Sequence, residues 1–160
     1  MARLEGKATV ITGGAGEIGM AAARLFIKEG AKVMLVDLEE DVLKKAVQSL
    51  QSDSVFYAAA DVTQPEQVEK YVKRAIELFG GIDVFLNNAG IEGVVKPITD
   101  YPIDAFDRVI AVNIRGVWLG LKYVMPIMQT RGGGSIVITS SVAGVGGSPN
   151  MSAYVTSKHA

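Results

Sequence analysis

The 160-residue chain contains no cysteine, which excludes disulfide frameworks and thiolate metal sites together. Its single histidine, His159, leaves too few ligands for zinc, so no metal site is expected. An excess of one charge is missing as well. Sixteen basic residues against 17 acidic give a net charge of -1, and no basic run offers nucleic acid or an anionic membrane a surface. No uninterrupted apolar run approaches the length of a membrane span. Residues 1–7 carry Arg3, Glu5 and Lys7 where a secretory signal needs an apolar stretch, so the expected location is cytoplasmic. The remainder is 49% hydrophobic residues in a length that suits one core, hence a single domain over residues 1–160.

Short apolar runs alternate with longer helical patterns. Strands are expected at Ala8 to Ile11, Val33 to Val36, Val55 to Ala60, Val84 to Leu86 and Ile136 to Thr139. Between them lie helical patterns at Ile18 to Glu29, Glu39 to Leu50 and Pro65 to Phe79, then a long one from Ile103 to Met128. Gly30 and Gly80-Gly81 suit helix C-termini, and Pro65 suits a first turn. The expected inward stripes are Met20, Ala23 and Ile27 in the first helix, and Val42, Leu43, Ala46, Val47 and Leu50 in the second. In the long helix, Trp118, Leu121, Met125 and Met128 read as a buried stripe. A further helix begins near Ser152. Near-continuous apolar strands separated by helices imply an α/β fold with a parallel sheet covered on both faces.

Thr12-Gly13-Gly14-Ala15-Gly16-Glu17-Ile18-Gly19 comes after the first strand and opens directly into a helix. Glycines there let the backbone turn tightly and approach a pyrophosphate, while the helix N-terminus supplies N–H groups and partial positive charge. Asp37 ends the second strand eighteen positions beyond Gly19. A carboxylate there accepts hydrogen bonds from an adenosine ribose and repels a 2′-phosphate, which favours NAD over NADP. The same position also suits an aspartate that caps the next helix. Near the C-terminus, Tyr154 and Lys158 stand four apart on one helical face, thirteen residues beyond Ser141. An ammonium held against a phenol favours the phenolate, which makes the pair a proton donor and acceptor.

With Thr12-Gly13 and Gly19, Asp61-Val62, Asn87-Asn88-Ala89-Gly90, Asn113, Ser141, and Tyr154 with Lys158 in this order, the chain resembles the short-chain dehydrogenase/reductase family from about Lys7 to Ala160. The resemblance implies a Rossmann-like, doubly wound parallel sheet with five strands present in the order 3-2-1-4-5, the family's C-terminal strands being absent. It implies NAD as cofactor, held by Gly13, Gly16, Glu17, Ile18 and Gly19, by Asp37 and Leu38, by Asp61 and Val62 beside the adenine, and by Asn88, Tyr154 and Lys158. One of Asn87 and Asn88 is expected to brace the sheet. The implied catalytic residues are Asn113, Ser141, Tyr154 and Lys158. Tyr154 would be the acid/base, and Ser141 would hold the substrate oxygen. Lys158 would stabilise the phenolate and bind the nicotinamide ribose, and Asn113 would hold a water beside it. The resemblance further implies a homo-oligomer, tetrameric in the family, joined through the helices around Ile114 to Met128 and after Ser152.

Two features depart from the family pattern. Glu17 replaces the middle glycine of Thr-Gly-x-x-x-Gly-x-Gly, although Gly14, Gly16 and Gly19 satisfy G-x-G-x-x-G instead. The chain also stops two residues after Lys158, which suggests a fragment or a truncated product with poor activity by itself. The expected substrate is a small or medium hydrophobic secondary alcohol or its ketone, lined by Ile91 to Ile98, Val142 to Val145 and Ser148 to Met151. The competing expectation is an inactive dinucleotide-binding scaffold or assembly subunit. His159 is expected to be an exposed or packing residue, because it points away from Lys158.

Overall fold

Short apolar strands lie side by side because burying both faces takes a helix layer above and below, although in the last strand Val137 and Ile138 stay about half exposed, against the expected cover on both faces. A computed structural model describes residues 2–160. Among these residues, β1 (Ala8–Thr12), β2 (Lys32–Asp37), β3 (Val55–Ala59), β4 (Val84–Asn87) and β5 (Ser135–Ile138) form one sheet, in the order β3-β2-β1-β4-β5. All neighbours are parallel, with Val10 opposite Met34 and Phe85, and Leu86 opposite Val137. The order reverses between β1 and β4, where an open α/β sheet leaves a crevice at its carboxyl ends.

Alternate strand residues build two separate cores. On one face Val10, Met34, Val36 and Phe85 pack against α3 (Pro65–Phe79) and α5 (Val117–Thr130) through Val68, Tyr71, Val72, Leu119, Val124 and Met128. On the other, Ile11, Val33, Leu35 and Leu86 meet Met20 and Ala23 of α1 (Glu17–Lys28) and Leu43 and Ala46 of α2 (Glu40–Leu50). Burying a side chain such as Leu43 contributes about 1.5–3 kcal/mol. Gly80 closes α3 in a left-handed conformation at φ 79°, and its N–H donates to the Ile76 carbonyl. Among the described residues, no helix is long and apolar enough to cross a membrane.

The structure corrects three further expectations. Val42 is exposed, so the inward face of α2 is narrower than its apolar content suggested. The long helix is divided into α4 (Ile103–Ile110), a π-helical segment (Ala111–Gly116) and α5. In α5 the buried face is that of Leu119, Gly120, Val124 and Met128, and Gly120 lets the helix approach Phe85 and Asn87 of β4. Trp118 (56% exposed) and Met125 (44%) therefore face outward, against the expected buried stripe.

Candidate active site

The glycine turn after β1 is constrained at three of its four glycines. Gly13 adopts φ +62°, and a Cβ there would stand 3.0 Å from Ala89 Cα. A Cβ on Gly14 would come within 2.9 Å of Leu35 Cβ, and one on Gly19 would strike the Gly13 carbonyl oxygen. Gly19 thus lets α1 rest on the turn. Gly16 precedes α1 and gives it no side-chain cap, so no capping side chain takes up the N–H groups of the first turn. Gly13, Gly16, Glu17 and Ile18 line a cleft of about 810 Å³ at the carboxyl end of the sheet. Glu17 is the first residue of α1 and is exposed.

Asp37, at the end of β2, does not cap α2. Its Oδ2 accepts the Ala15 N–H at 3.0 Å and its Oδ1 the Leu38 N–H at 2.8 Å, while Glu39 holds the cap position of α2. The carboxylate therefore ties the glycine turn to the second strand, and Asp37 and Leu38 both line the cleft. Asp61 and Val62 part company. Asp61 Oδ1 accepts both the N–H and the hydroxyl of Thr63 at 2.8 Å, whereas Val62 lines the cleft. The Thr63 carbonyl in turn accepts from Arg115 of the π segment.

The two asparagines after β4 have different tasks. Asn87 is buried, accepts from the Thr12 hydroxyl at 3.3 Å and donates to the Val117 carbonyl at 2.9 Å, which makes it the brace between sheet and helix. Asn88 faces the cleft. Its Nδ2 donates to the carbonyls of Thr12 and Gly13 at 3.2 and 3.3 Å, and its Oδ1 accepts the Thr139 hydroxyl at 2.9 Å.

Across the cleft lies α6 (Ser152–His159). Tyr154 and Lys158 both line the cleft, and Lys158 Nζ stands 5.7 Å from the centroid of the Tyr154 ring. The ammonium also donates to the Thr139 carbonyl at 3.0 Å. Ser140 and Ser141 face the same space. Ser141 Oγ accepts the Ala143 N–H at 3.1 Å, so its own proton is left to give. Asn113 lies within the π segment and is buried behind the cleft. Its Oδ1 accepts the Ile91 N–H at 2.8 Å, and its Nδ2 donates to the Ile91 carbonyl and to Ser157 Oγ, both at 2.9 Å. His159 is exposed and lies against the Val155 carbonyl at 2.9 Å.

The cleft thus gathers Gly13, Gly16, Glu17, Ile18, Asp37, Leu38, Val62, Asn88, Ser141, Tyr154 and Lys158, while Gly19, Asp61 and Asn113 are not part of its lining. Of the stretches expected to hold substrate, Ile91 and Glu92 line it, whereas Val142 and Val145 are more than 80% exposed. A smaller groove of about 550 Å³ beside β3 and α3 holds none of these residues. Two polar residues went unnoticed in the sequence. Thr139 read as the end of a strand, yet it contacts both Asn88 and Lys158. Ser157 stands four residues beyond buried Ala153, and that shared helical face is the signal that it points inward.

The match to known proteins spans nearly the whole chain. A family model described as short chain dehydrogenase matches residues 7–160. Levodione reductase of Leifsonia aquatica is 43% identical over 161 residues, covering 98% of this chain and 60% of that protein. (+)-Borneol dehydrogenase 2 of Salvia officinalis is 38% identical over 160 residues, covering 99% and 56% respectively. A crystal structure of NAD+-bound xylitol dehydrogenase superposes with a TM-score of 0.94 at 40% identity, covering 98% of this chain and 61% of the other. The chain therefore spans about six tenths of the length of these relatives. By this match, the chain belongs to the short chain dehydrogenase family.

Proposed function

We propose that the chain carries the dinucleotide site and the proton-transfer residues of an oxidoreductase that exchanges a hydride between NAD(H) and a small or medium hydrophobic secondary alcohol or its ketone. The observation that carries this reading is one cleft shared by the uncapped N-terminus of α1 and by Tyr154 with Lys158. The donor set fits a pyrophosphate, since free N–H groups of α1 and the tightly turned backbone at Gly13 converge there. The Asp37 carboxylate suits a ribose hydroxyl and opposes a 2′-phosphate, which favours NAD. A related xylitol dehydrogenase has been crystallised with NAD+, which supports the same choice here.

When bound, the nicotinamide supplies and receives the hydride. The chain's own residues handle position and protons. Tyr154 gives its hydroxyl proton to the carbonyl oxygen in reduction and takes one back in oxidation. The Lys158 ammonium stabilises the charge then left on Tyr154. Ser141 donates its free proton to the substrate oxygen. Gly90 keeps a space open behind this pair, because a Cβ on it would lie 3.4 Å from Asn113 Oδ1 and 3.7 Å from Lys158 Nζ. That polar space suits the water through which Asn113 serves proton exchange. Ile91 and Val112 in the lining favour an apolar substrate body.

The assembly is proposed to be a homo-oligomer, a tetramer as in the family. The support is the exposed apolar stripe of Ile103, Phe106, Trp118 and Met125 along α4 and α5.

The test is titration with NAD and NADP, then turnover of a panel of hydrophobic secondary alcohols followed by absorbance of reduced nicotinamide. NAD is expected to bind more tightly than NADP and to support turnover. Preference for NADP, or no dinucleotide binding, would overturn the reading. NAD binding with no turnover of any alcohol or ketone would leave a scaffold in place of an enzyme.

A further inference from the structure

We infer that Ser157 is a positioning residue for Tyr154, acting through the Asn113 side chain; this rests on the reading of Tyr154 as the acid/base. Ser157 is 4% exposed and lies between Tyr154 and Lys158 on α6. Its Oγ donates to the Tyr154 carbonyl at 2.8 Å and accepts an amide proton of Asn113 at 2.9 Å. The second Asn113 amide proton goes to the Ile91 carbonyl, and Asn113 Oδ1 takes the Ile91 N–H. Because Ile91 presents one donor and one acceptor, the amide fits in one orientation only, and flipping it would oppose like groups. Every proton of the Asn113 amide and of the Ser157 hydroxyl is thereby committed.

This bridge spans three pieces of chain that are distant in sequence: the segment after β4, the π segment and α6. Helix α6 is tied to the rest of the fold at two adjacent positions. The Lys158 ammonium fixes its far end to the Thr139 carbonyl, and Ser157 fixes it to the π segment one position earlier. With alanine at 157, one buried Asn113 proton loses its acceptor. The amide then shifts toward another partner, which loosens both Ile91 and the seat of Tyr154. A displacement of the order of 1 Å at a reacting group can lower a rate by about a hundredfold. A partial shift of this kind is expected to lower kcat about tenfold.

The experiment compares Ser157→Ala in the unaltered background and in Asn113→Ala, with two readouts. In the unaltered background, kcat is expected to fall about tenfold while the dissociation constant for NAD stays within about twofold. In the Asn113→Ala background, the same change is expected to cost less than about twofold, since residues acting in one network are not additive. Amide hydrogen exchange at Ile91, which needs neither cofactor nor turnover, is expected to accelerate in Ser157→Ala. An equal kcat loss in both backgrounds, an unchanged kcat, or unchanged Ile91 exchange would overturn the inference. Absence of turnover in the unaltered protein would instead sink the oxidoreductase reading, and Ile91 exchange would still decide the bridge.

Discussion

Lys158 Nζ donates to the carbonyl oxygen of Thr139 at 3.0 Å, so the ammonium beside Tyr154 is anchored to the backbone just beyond β5. The Thr139 hydroxyl also donates to Asn88 Oδ1, and Asn88 Nδ2 reaches the Gly13 carbonyl. One chain of hydrogen bonds therefore runs from the glycine turn to the ammonium. The glycine-turn side and the Tyr154–Lys158 side of the cleft are thereby tied to each other.

Tyr154→Phe removes the hydroxyl and keeps the ring. Turnover is expected to fall by about a hundredfold or more, the usual contribution of a positioned acid/base. NAD affinity, measured by titration calorimetry, is expected to change little. Residual turnover within about tenfold would contradict the assignment.

Glu17 sets a carboxylate at the first position of α1, beside the N–H groups proposed to bind a pyrophosphate. Glu17→Gly removes that repulsion and is expected to tighten NAD about threefold. The same change removes a favourable charge from the helix N-terminus and adds a flexible residue, so the thermal midpoint should drop slightly. An unchanged or weaker dissociation constant would show that the side chain does not oppose the cofactor.

Tyr71 lies on the buried face of α3, and its hydroxyl has no hydrogen-bond partner among the described residues. Burial raises its pKa above the ordinary phenol value. The unfolded chain therefore loses this proton first, at about 10. The contribution to stability is intact below that pH and is lost as pH rises toward the raised folded value. Tyr71→Phe is expected to stabilise the fold by about 1 kcal/mol at neutral pH, because it deletes an unpaired buried group. It should also flatten the loss of stability above about pH 10, as read by urea denaturation.

Glu29 is held below the usual carboxylate range, first by the backbone N–H of Arg3 at 2.8 Å and then by the Arg3 guanidinium at 3.1 Å. Its stabilising effect is complete above the unfolded value of about 4.3 and disappears as pH falls through the lowered folded value. Glu29→Gln should therefore match the unaltered chain in thermal midpoint at low pH and fall below it near neutrality. Equal midpoints across that range would show that the Arg3 contact adds nothing.

Strands, helix ends and the Tyr154–Lys158 spacing were legible in the sequence because each depends on residues a few positions apart. Apolar runs marked the five strands, Pro65 and Gly80 marked the ends of α3, and a four-residue interval put phenol and ammonium on one face. Tertiary packing decided the rest. Asp37 fitted both a ribose ligand and a helix cap, until its bond to Ala15, 22 residues away, showed it tying down the glycine turn. The Asn113–Ser157 bond crosses 44 residues and depends on how α6 meets the π segment, which no local pattern encodes. Trp118 faces outward because α5 rests on β4 through Gly120, beside buried Leu119 and Val124, a choice of face that the apolar residues of α5 left open. Periodicity and capping are properties of short stretches, whereas a hydrogen bond between distant residues exists only once the layers have packed.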